Sequence, residues 1–365
     1  MKKLTTSLIS AVLAAASFWS IAAELREDHP EFHVVQPGDT LWDISQAFLK
    51  SPWLWPEIWH VNEQVDNPHL IFPGDVLSLV YVDGKPRITK SNKLPNGTIK
   101  LTPHARELSA DQAITTIPLD AILPFLTSAR VLDENELDRA PYLVGSDSER
   151  LLAAQEHKVY VRGLEDQETD SFSFFRVGDN YIDPQTGEYL GTEAIHLGEG
   201  LKILSGDPSV LRVKKSVEEL RNGDRIWPTN DDQIRPVYFP RAPQDFEGGQ
   251  IISVYAGVEQ IGQFDIVVIN RGEREHMEVG HVLDIYQRGK TIVDKIATER
   301  RKNSDNVGVF EKIKDSVTNN KQKVKLPDEK AGQLMIFRTF EKVSLALVLK
   351  ASRVIHVKDN VKTPL

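Results

Sequence analysis

The densest group of side chains suited to metal or acid–base chemistry lies late in the chain. Four such residues stand within one short stretch: Glu275, His276, Glu278 and His281. Imidazole and carboxylate groups are ordinary zinc ligands. However, His276 and His281 are five positions apart, which places them on neither one face of a helix nor one face of a strand. Since Gly280 also marks a turn, we predict a hairpin with polar tips here and no metal site.

Other forms of catalysis find little support in the sequence. Cysteine is absent, which excludes thiol nucleophiles, disulfides and cysteine-based metal sites. The 10 histidines include no H-x-H and no H-E-x-x-H pattern, the arrangements that zinc peptidases use. Carboxylates are plentiful, but no pair has a context that marks it as a glycosidase pair. We therefore expect no catalytic residue, no metal and no cofactor, although a hydrolase with an unfamiliar active site stays open.

Residues 32–79 carry a regular pattern of secondary structure. The stretch begins and ends with short alternating apolar segments, Phe32–Val35 and Val76–Leu79, which predict two strands. Asp39 and Thr40 stand where they can cap a following helix. Two helical patterns lie between the strands, with these residues on their apolar faces: Leu41, Ile44, Ala47 and Phe48 in the first, and Trp55, Ile58, Trp59 and Asn62 in the second.

This β-α-α-β unit, residues 31–81, resembles the LysM fold, a small module that binds glycans containing N-acetylglucosamine. The matching residues are the segment 35–45 (VQPGDTLWDIS), Asn62, the segment 67–71 (NPHLI) and the segment 73–77 (PGDVL). The resemblance spans the whole unit in the right order. Its lengthened middle, which contains Trp53, Trp55 and Trp59, is similar to the LysM variant of Gram-negative envelope proteins.

The resemblance implies that a glycan such as peptidoglycan lies between two loops of this unit. The implied site residues are Gly38, Asp39, Thr40, Leu41, Asn67, Pro68, His69, Leu70 and Ile71. Backbone amide and carbonyl groups in such turns can bond sugar N-acetyl groups, while apolar side chains cover the sugar face. The same residues can also serve the fold, with Gly38 and Asp39 as a turn and cap and with Leu41 and Ile71 as packing residues. Both roles can hold at once.

Three closely spaced tryptophans of the unit, Trp53, Trp55 and Trp59, are candidates for stacking on a sugar ring. Trp55 and Trp59 are four residues apart on one helix face, a spacing that more often indicates core packing. Trp53 precedes this helix, so we expect it to be more exposed and to be the better stacking candidate.

The first 23 residues have the pattern of a secretory signal peptide. Two lysines near the start supply positive charge, residues 8–18 form an apolar run, and small residues follow at Ala22 and Ala23. The apolar run is shorter than the roughly 20 residues that span a membrane, and no later stretch is apolar enough to do so. We therefore expect cleavage after Ala22 or Ala23 and a mature protein in the periplasm, associated with the cell wall.

The composition is that of an ordinary globular protein with an excess of acidic groups. The chain has 365 residues, of which 40% are hydrophobic and 27% charged, enough for about two or three domains. Its formal net charge is −9 at pH 7, whereas binding to nucleic acid phosphates needs a basic surface. We expect no nucleic acid partner.

The rest of the chain indicates a β-rich region, so the predicted fold class is α+β multidomain. Residues 82–117 are interpreted as a linker or a loosely held hairpin. Short apolar runs separated by turn residues then predict barrel-like or sandwich-like domains, one over residues 118–240 with short N-terminal helices and a second over 241–365. A weak internal repeat, Pro141–Pro228 against Ile251–Pro364, suggests that the two are copies, which the sequence leaves undecided.

Three later segments support a second resemblance: 182–191 (IDPQTGEYLG), 268–272 (VINRG) and 334–341 (LMIFRTFE). With the signal peptide and the LysM-like unit, they are similar to the type IV pilus secretin-associated LysM proteins of Gram-negative bacteria. The C-terminal part of that family is similar to the C-terminal domain of a flagellar basal-body protein. The resemblance implies a non-enzymatic periplasmic adaptor that binds peptidoglycan and stabilises an outer-membrane secretin. The alternatives are a cell-wall hydrolase with an unrecognised active site and a general wall-binding protein without a secretin.

Overall fold

The structure, a computed structural model, describes eight stretches of the chain. They are residues 23–59, 71–91, 113–147, 152–164, 169–229, 238–255, 260–303 and 322–364. The predicted signal peptide up to residue 22 lies outside them, as do Asn62, Asn67, Pro68, His69 and Leu70. None of the helices in the described stretches is both long and apolar enough to cross a membrane.

The N-terminal unit folds in the order that its sequence predicts. Its elements are β1 (Phe32–Val34), α1 (Leu41–Phe48), a 3-10 helix (Pro52–Leu54), α2 (Trp55–Ile58), β2 (Val76–Val82) and β3 (Lys85–Ser91). The strands form an antiparallel sheet in the order β1-β2-β3. Trp42 and Phe48 of α1 share one buried core with Leu77 of β2. The helices and the sheet therefore stabilise each other through this core.

Two parts of the segment 82–117, interpreted above as a linker or hairpin, pack onto the N-terminal unit. Residues 85–91 form β3, and Ile88 in its centre is 1% exposed. Farther along, Ile114 and Ile117 join the same core as the helices of this unit. The unit thus extends beyond residue 81, because a third strand and a later segment complete its core.

The middle of the chain contains two described helices and seven described strands. They are α3 (Leu119–Ser128), β4 (Arg130–Leu132), α4 (Glu134–Arg139), β5 (Tyr142–Ser146), β6 (Lys158–Arg162), β7 (Ser171–Ile182), β8 (Tyr189–Leu204), β9 (Ser209–Ser216) and β10 (Arg225–Pro228). The sheet order is β4-β8-β7-β10-β5-β6-β9, and β8 also pairs with β9. Strands β5 to β10 therefore close into a ring of antiparallel pairs, the first ring. Its interior is apolar and includes Phe172, Phe174 and Val213.

The last part of the chain forms a closed six-stranded barrel, the second ring. Its elements are β11 (Gly249–Val254), β12 (Gln260–Ile261), β13 (Ile266–Ile269), a 3-10 helix (Glu273–Glu275), β14 (Val282–Gln287), β15 (Thr291–Val293), α5 (Lys295–Asn303), β16 (Lys323–Lys325), β17 (Glu329–Thr339), β18 (Ser344–Ala351), β19 (Ile355–His356) and β20 (Asn360–Lys362). The barrel order is β11-β13-β18-β17-β14-β20. Two short antiparallel pairs, β12 with β19 and β15 with β16, accompany it. The prediction of a β-rich C-terminal region is thus confirmed.

The two rings have the same order of strands. When the strands are numbered within each ring, both rings follow the order 1-2-5-4-3-6 and close from 6 to 1. The turns before their last strands also match. The carboxylate of Asp224 accepts the N–H of Arg221 at 2.6 Å, and that of Asp359 accepts the N–H of His356 at 2.9 Å.

The second ring is apolar on both faces. Along β13, Val267 belongs to the core inside the barrel, whereas the next residue, Val268, belongs to a core outside it. Helix α3 contributes to this outer core, where the ring of Phe125 meets that of Tyr255 edge-on with 5.0 Å between their centroids. Strands covered on both sides explain why this part of the sequence contains continuous apolar runs instead of clear alternation.

Candidate functional site

The first implied loop begins with a tight turn around Asp39. Gly38 has a φ angle of +94°, a conformation that glycine adopts without strain. The carboxylate of Asp39 accepts the backbone N–H of Gln36 at 2.9 Å and lies 2.8 Å from Nε2 of His33. Asp39 therefore stabilises the turn and joins it to β1.

The loop ends at Thr40, which caps α1. The hydroxyl oxygen of Thr40 accepts the backbone N–H of Asp43 at 3.2 Å, and the hydroxyl donates to the Asp43 carboxylate at 2.6 Å. That carboxylate also accepts the N–H of Thr40, which completes a capping box. The prediction that Thr40 can cap this helix is confirmed.

The second implied loop is described only at Ile71, because residues 67–70 lie outside the described stretches. Beyond Ile71 the chain turns back toward the first loop. The N–H of Gly74 donates to the carbonyl of Val35 at 2.8 Å, and the N–H of Val35 donates to the carbonyl of Asp75 at 2.9 Å. These two bonds hold the ends of both loops side by side.

A later segment of the same chain contacts the described parts of both loops. We call residues 113–117 the strap. Three backbone hydrogen bonds join the strap to the unit: Leu41 N–H to Thr115 C=O at 2.9 Å, Trp42 N–H to Thr116 C=O at 3.1 Å, and Ile114 N–H to Ile71 C=O at 2.8 Å. The first two bonds satisfy N–H groups in the first turn of α1, which have no acceptor within the helix. The strap thus contacts both loops at once.

The implied site residues differ in exposure. Gly38 is exposed and Asp39 is half-buried. By contrast, Thr40, Leu41 and Ile71 are 4%, 2% and 3% exposed, so their side chains serve the packing and capping roles that the sequence also allows. The role of the nine residues in glycan binding stays a prediction.

The tryptophans of the unit are mostly core residues. Trp55 is 2% exposed, and the half-buried Trp59 packs edge-on against it with 6.3 Å between ring centroids. The prediction that Trp53 is exposed is wrong, because this residue is only 4% exposed. Trp53 lies in the 3-10 helix before α2, and all three side chains of that helix are buried.

The acid–base group near residue 280 forms a structural turn. The four residues lie between β13 and β14 in the sequence, and a hairpin would require these two strands to pair. The predicted hairpin is wrong, because β18 and β17 lie between β13 and β14 in the barrel. Nδ1 of His281 accepts the N–H of Glu278 at 3.1 Å, and the Glu278 carboxylate pairs with Arg241. Burial, together with the charge of Arg241, lowers the pKa of His281 below its ordinary value. Within the described stretches, no three His, Cys, Asp or Glu side chains are grouped to hold a metal ion.

The three later segments singled out in the sequence meet at one joint between the two rings. Asp183, in the turn after β7, accepts a hydrogen bond from the side-chain amide of Asn270 at 2.7 Å. The guanidinium of Arg274 donates to both carboxylate oxygens of Glu188, at 2.6 and 3.0 Å. The backbone N–H of Arg274 donates to the carbonyl of Glu341 at 3.0 Å. Local pattern reasoning did not predict that these segments touch.

Reasoning from the sequence also missed the strap. The segment Ile114–Ile117 consists of β-branched residues, which favour an extended chain. That signal predicts an extended conformation but not its partner, because the partner residues lie more than 40 positions earlier in the sequence.

The comparison with known protein families agrees with the geometry of the N-terminal unit. Residues 33–80 match the family model of the LysM domain, and no curated protein matches the chain. The match covers the N-terminal unit and leaves the two rings unassigned. LysM domains bind glycans of the peptidoglycan or chitin type. The chain therefore contains a LysM domain at residues 33–80 and, with it, a module suited to such a glycan.

Proposed function

We propose that this protein binds peptidoglycan through its LysM domain. The observation that carries the proposal is the family match over residues 33–80. The bonds between Val35 and the turn at Gly74 and Asp75 support a site between the two loops, because they hold the loop ends together. Peptide groups of the loops bond N-acetyl groups of the glycan. A single small module of this kind binds weakly, so tethering through another domain strengthens attachment.

Retention on purified peptidoglycan tests this proposal with a matched pair of variants. Gly38→Gln places a neutral side chain at the front of the first loop, whereas Gly84→Gln does the same at the turn between β2 and β3. Both glycines have positive φ angles, +94° and +74°, and neither has an atom within 4 Å of an added Cβ. The two variants therefore carry similar backbone strain, and β2 places the two turns about 20 Å apart.

We expect the wild type and Gly84→Gln to be retained on peptidoglycan and Gly38→Gln to be retained less. Equal retention of all three proteins would show that the first loop does not form part of the glycan site. Retention of none would refute peptidoglycan binding itself.

The larger proposal is a non-enzymatic periplasmic adaptor that links the wall to an outer-membrane secretin. It rests on the resemblance of residues 182–191, 268–272 and 334–341 to secretin-associated LysM proteins. The joint supports it, because Asp183 of the first segment accepts a hydrogen bond from Asn270 of the second. Arg274, two residues beyond the second segment, bonds Glu188 of the first segment and Glu341 of the third. The LysM domain then localises the protein, and the rings supply the specific protein–protein surface.

Crosslinking in cells, followed by mass spectrometry of the captured partners, tests the adaptor. A secretin or pilus component should be recovered with the wild type. Recovery of wall material alone favours the general wall-binding alternative. Release of soluble muropeptides from purified sacculi would contradict a non-enzymatic role and favour the hydrolase.

We also propose that the two rings are copies of one ancestral unit. The shared strand order and the matching turns at Asp224 and Asp359 support this. A sequence profile built from relatives of the first ring alone should detect the second ring. If profiles of both rings fail to detect each other, common origin loses its support.

A further inference from the structure

We infer that the strap, residues 113–117, is an internal occupant of the glycan site and that a glycan binds there once the strap has left. The inference rests on the proposed function, because it concerns backbone groups of Leu41, Trp42 and Ile71, where the described parts of the two loops end. It means that the LysM domain of the full chain is held closed by the chain itself.

The strap uses backbone groups of the kind that an N-acetyl group needs. An N-acetyl group is an amide, so it offers one carbonyl acceptor and one N–H donor, as a peptide unit does. Two carbonyl groups of the strap accept hydrogen bonds from the N–H groups of Leu41 and Trp42. One N–H group of the strap, that of Ile114, donates to the carbonyl of Ile71. The two N–H donors are then engaged and are covered by the strap. A sugar and the strap therefore compete for the same place.

The two ends of the strap are held differently. Ile117 and Thr116 are 0% and 2% exposed, whereas Ile114 is 9% exposed and Thr115 is half-buried. Ile117 also accepts a hydrogen bond at 2.6 Å from the hydroxyl of Thr115. The end near Ile117 is therefore the anchored one, and opening begins at Ile114.

The strap continues directly into α3, which packs on the second ring. The ring of Phe125 contacts that of Tyr255, and the guanidinium of Arg338 donates to the carbonyl of Phe125 at 3.3 Å. These contacts hold α3 on the barrel and keep the Ile117 end of the strap in place while its Ile114 end opens.

A proline substitution tests the competition. Ile114→Pro removes the N–H that donates to Ile71, whereas the control Ile114→Val keeps this N–H and a similar apolar side chain. The full-length proteins are titrated with the tetramer of N-acetylglucosamine by calorimetry. We expect Ile114→Pro to bind about tenfold more tightly than the wild type, because more of the protein is in the open state, and Ile114→Val to match the wild type.

Equal or weaker binding by Ile114→Pro would overturn the inference and leave the proposed function standing. Binding of neither the tetramer nor peptidoglycan by any of the three proteins would overturn the proposed function and the inference with it.

Amide hydrogen exchange of the wild type provides a test that needs no variant. Saturation with the tetramer should accelerate exchange of the Ile114 amide, which loses its acceptor on Ile71. The amide of Ile44, bonded to Thr40 within α1 at 3.1 Å, should keep its protection. An Ile114 amide that stays equally protected with the tetramer bound would show that the strap does not leave.

Discussion

Oδ2 of Asp183 accepts a 2.7 Å hydrogen bond from Nδ2 of Asn270, a residue 87 positions farther along the chain. The other carboxylate oxygen accepts the backbone N–H groups of Gln185 and Thr186 at 2.8 and 3.0 Å. Asp183 is 4% exposed and Asn270 is fully buried. Burial alone would raise the pKa of Asp183. The hydrogen bonds from Thr186, Gln185 and Asn270 and the charge of Arg271 together lower it by more, so the pKa lies below its ordinary value. One carboxylate thus closes its own turn and joins the two rings.

Replacement of Asp183 by alanine should lower the free energy of unfolding by about 3 kcal/mol, because the buried side-chain amide of Asn270 and two backbone N–H groups of the turn lose a charged acceptor. Urea denaturation of the full chain measures this. The control is Asp170→Ala, whose carboxylate is 73% exposed and lies 3.6 Å from Lys202. We expect the control to change stability by less than about 0.5 kcal/mol. A similar loss in both variants would mean that the joint contributes nothing specific.

Gly272 should tolerate no side chain. A Cβ atom there would lie 2.3 Å from the carbonyl oxygen of Phe340 and 2.6 Å from that of Glu341, and backbone atoms cannot move aside easily. Gly272→Ala should therefore cost about 3 kcal/mol of stability or more. In Gly262→Ala the nearest atom, on Asp265, is 3.6 Å away, so this control should stay close to wild type. Thermal unfolding compares the two, and equal melting temperatures would argue against the close approach.

Burial of His281 should make the protein less stable as the pH falls. The pKa of His281 is lowered by burial and by Arg241, despite the opposing charge of Glu278. Below the ordinary histidine pKa of about 6.5 the unfolded chain takes up a proton that the folded chain does not bind, so stability decreases from about pH 7 downward.

The variant His281→Asn tests this dependence, because asparagine can still accept the N–H of Glu278 but cannot titrate in this range. Its free energy of unfolding should fall less steeply between about pH 7 and pH 5.5 than that of the wild type. His196, whose pKa is also lowered by burial, contributes equally to both proteins. Identical slopes would exclude His281 as a source of the pH dependence.

The capping box of α1 should be worth about 1 kcal/mol. Thr40→Ala removes the hydroxyl that accepts the N–H of Asp43, whereas Thr40→Ser retains it. We expect the alanine variant to be less stable than the serine variant by about this amount in urea denaturation. If the two variants are equally stable, the hydroxyl has no capping value.

Much of the LysM domain could be predicted because its signals are local. The cap at Thr40, the alternation in β1 and β2 and the glycine at residue 38 each act on neighbouring residues, and the family match confirms the domain. The exposure of Trp53 was predicted wrongly, because position before a helix does not show which way a short 3-10 helix turns its side chains. The hairpin predicted near His281 was wrong for a related reason, since strands that follow each other in sequence need not be neighbours in a barrel.

Local patterns predict the elements: the β-α-α-β unit with its capped helix, and the run of short strands behind it. The contacts between these elements are seen only in the folded chain, where the strap contacts Leu41 and Ile71, Asp183 reaches Asn270, and six strands close each ring in one order. Such contacts are hydrogen bonds between segments that are far apart along the chain. A backbone N–H or carbonyl is present at nearly every residue, so the sequence does not mark which two will meet.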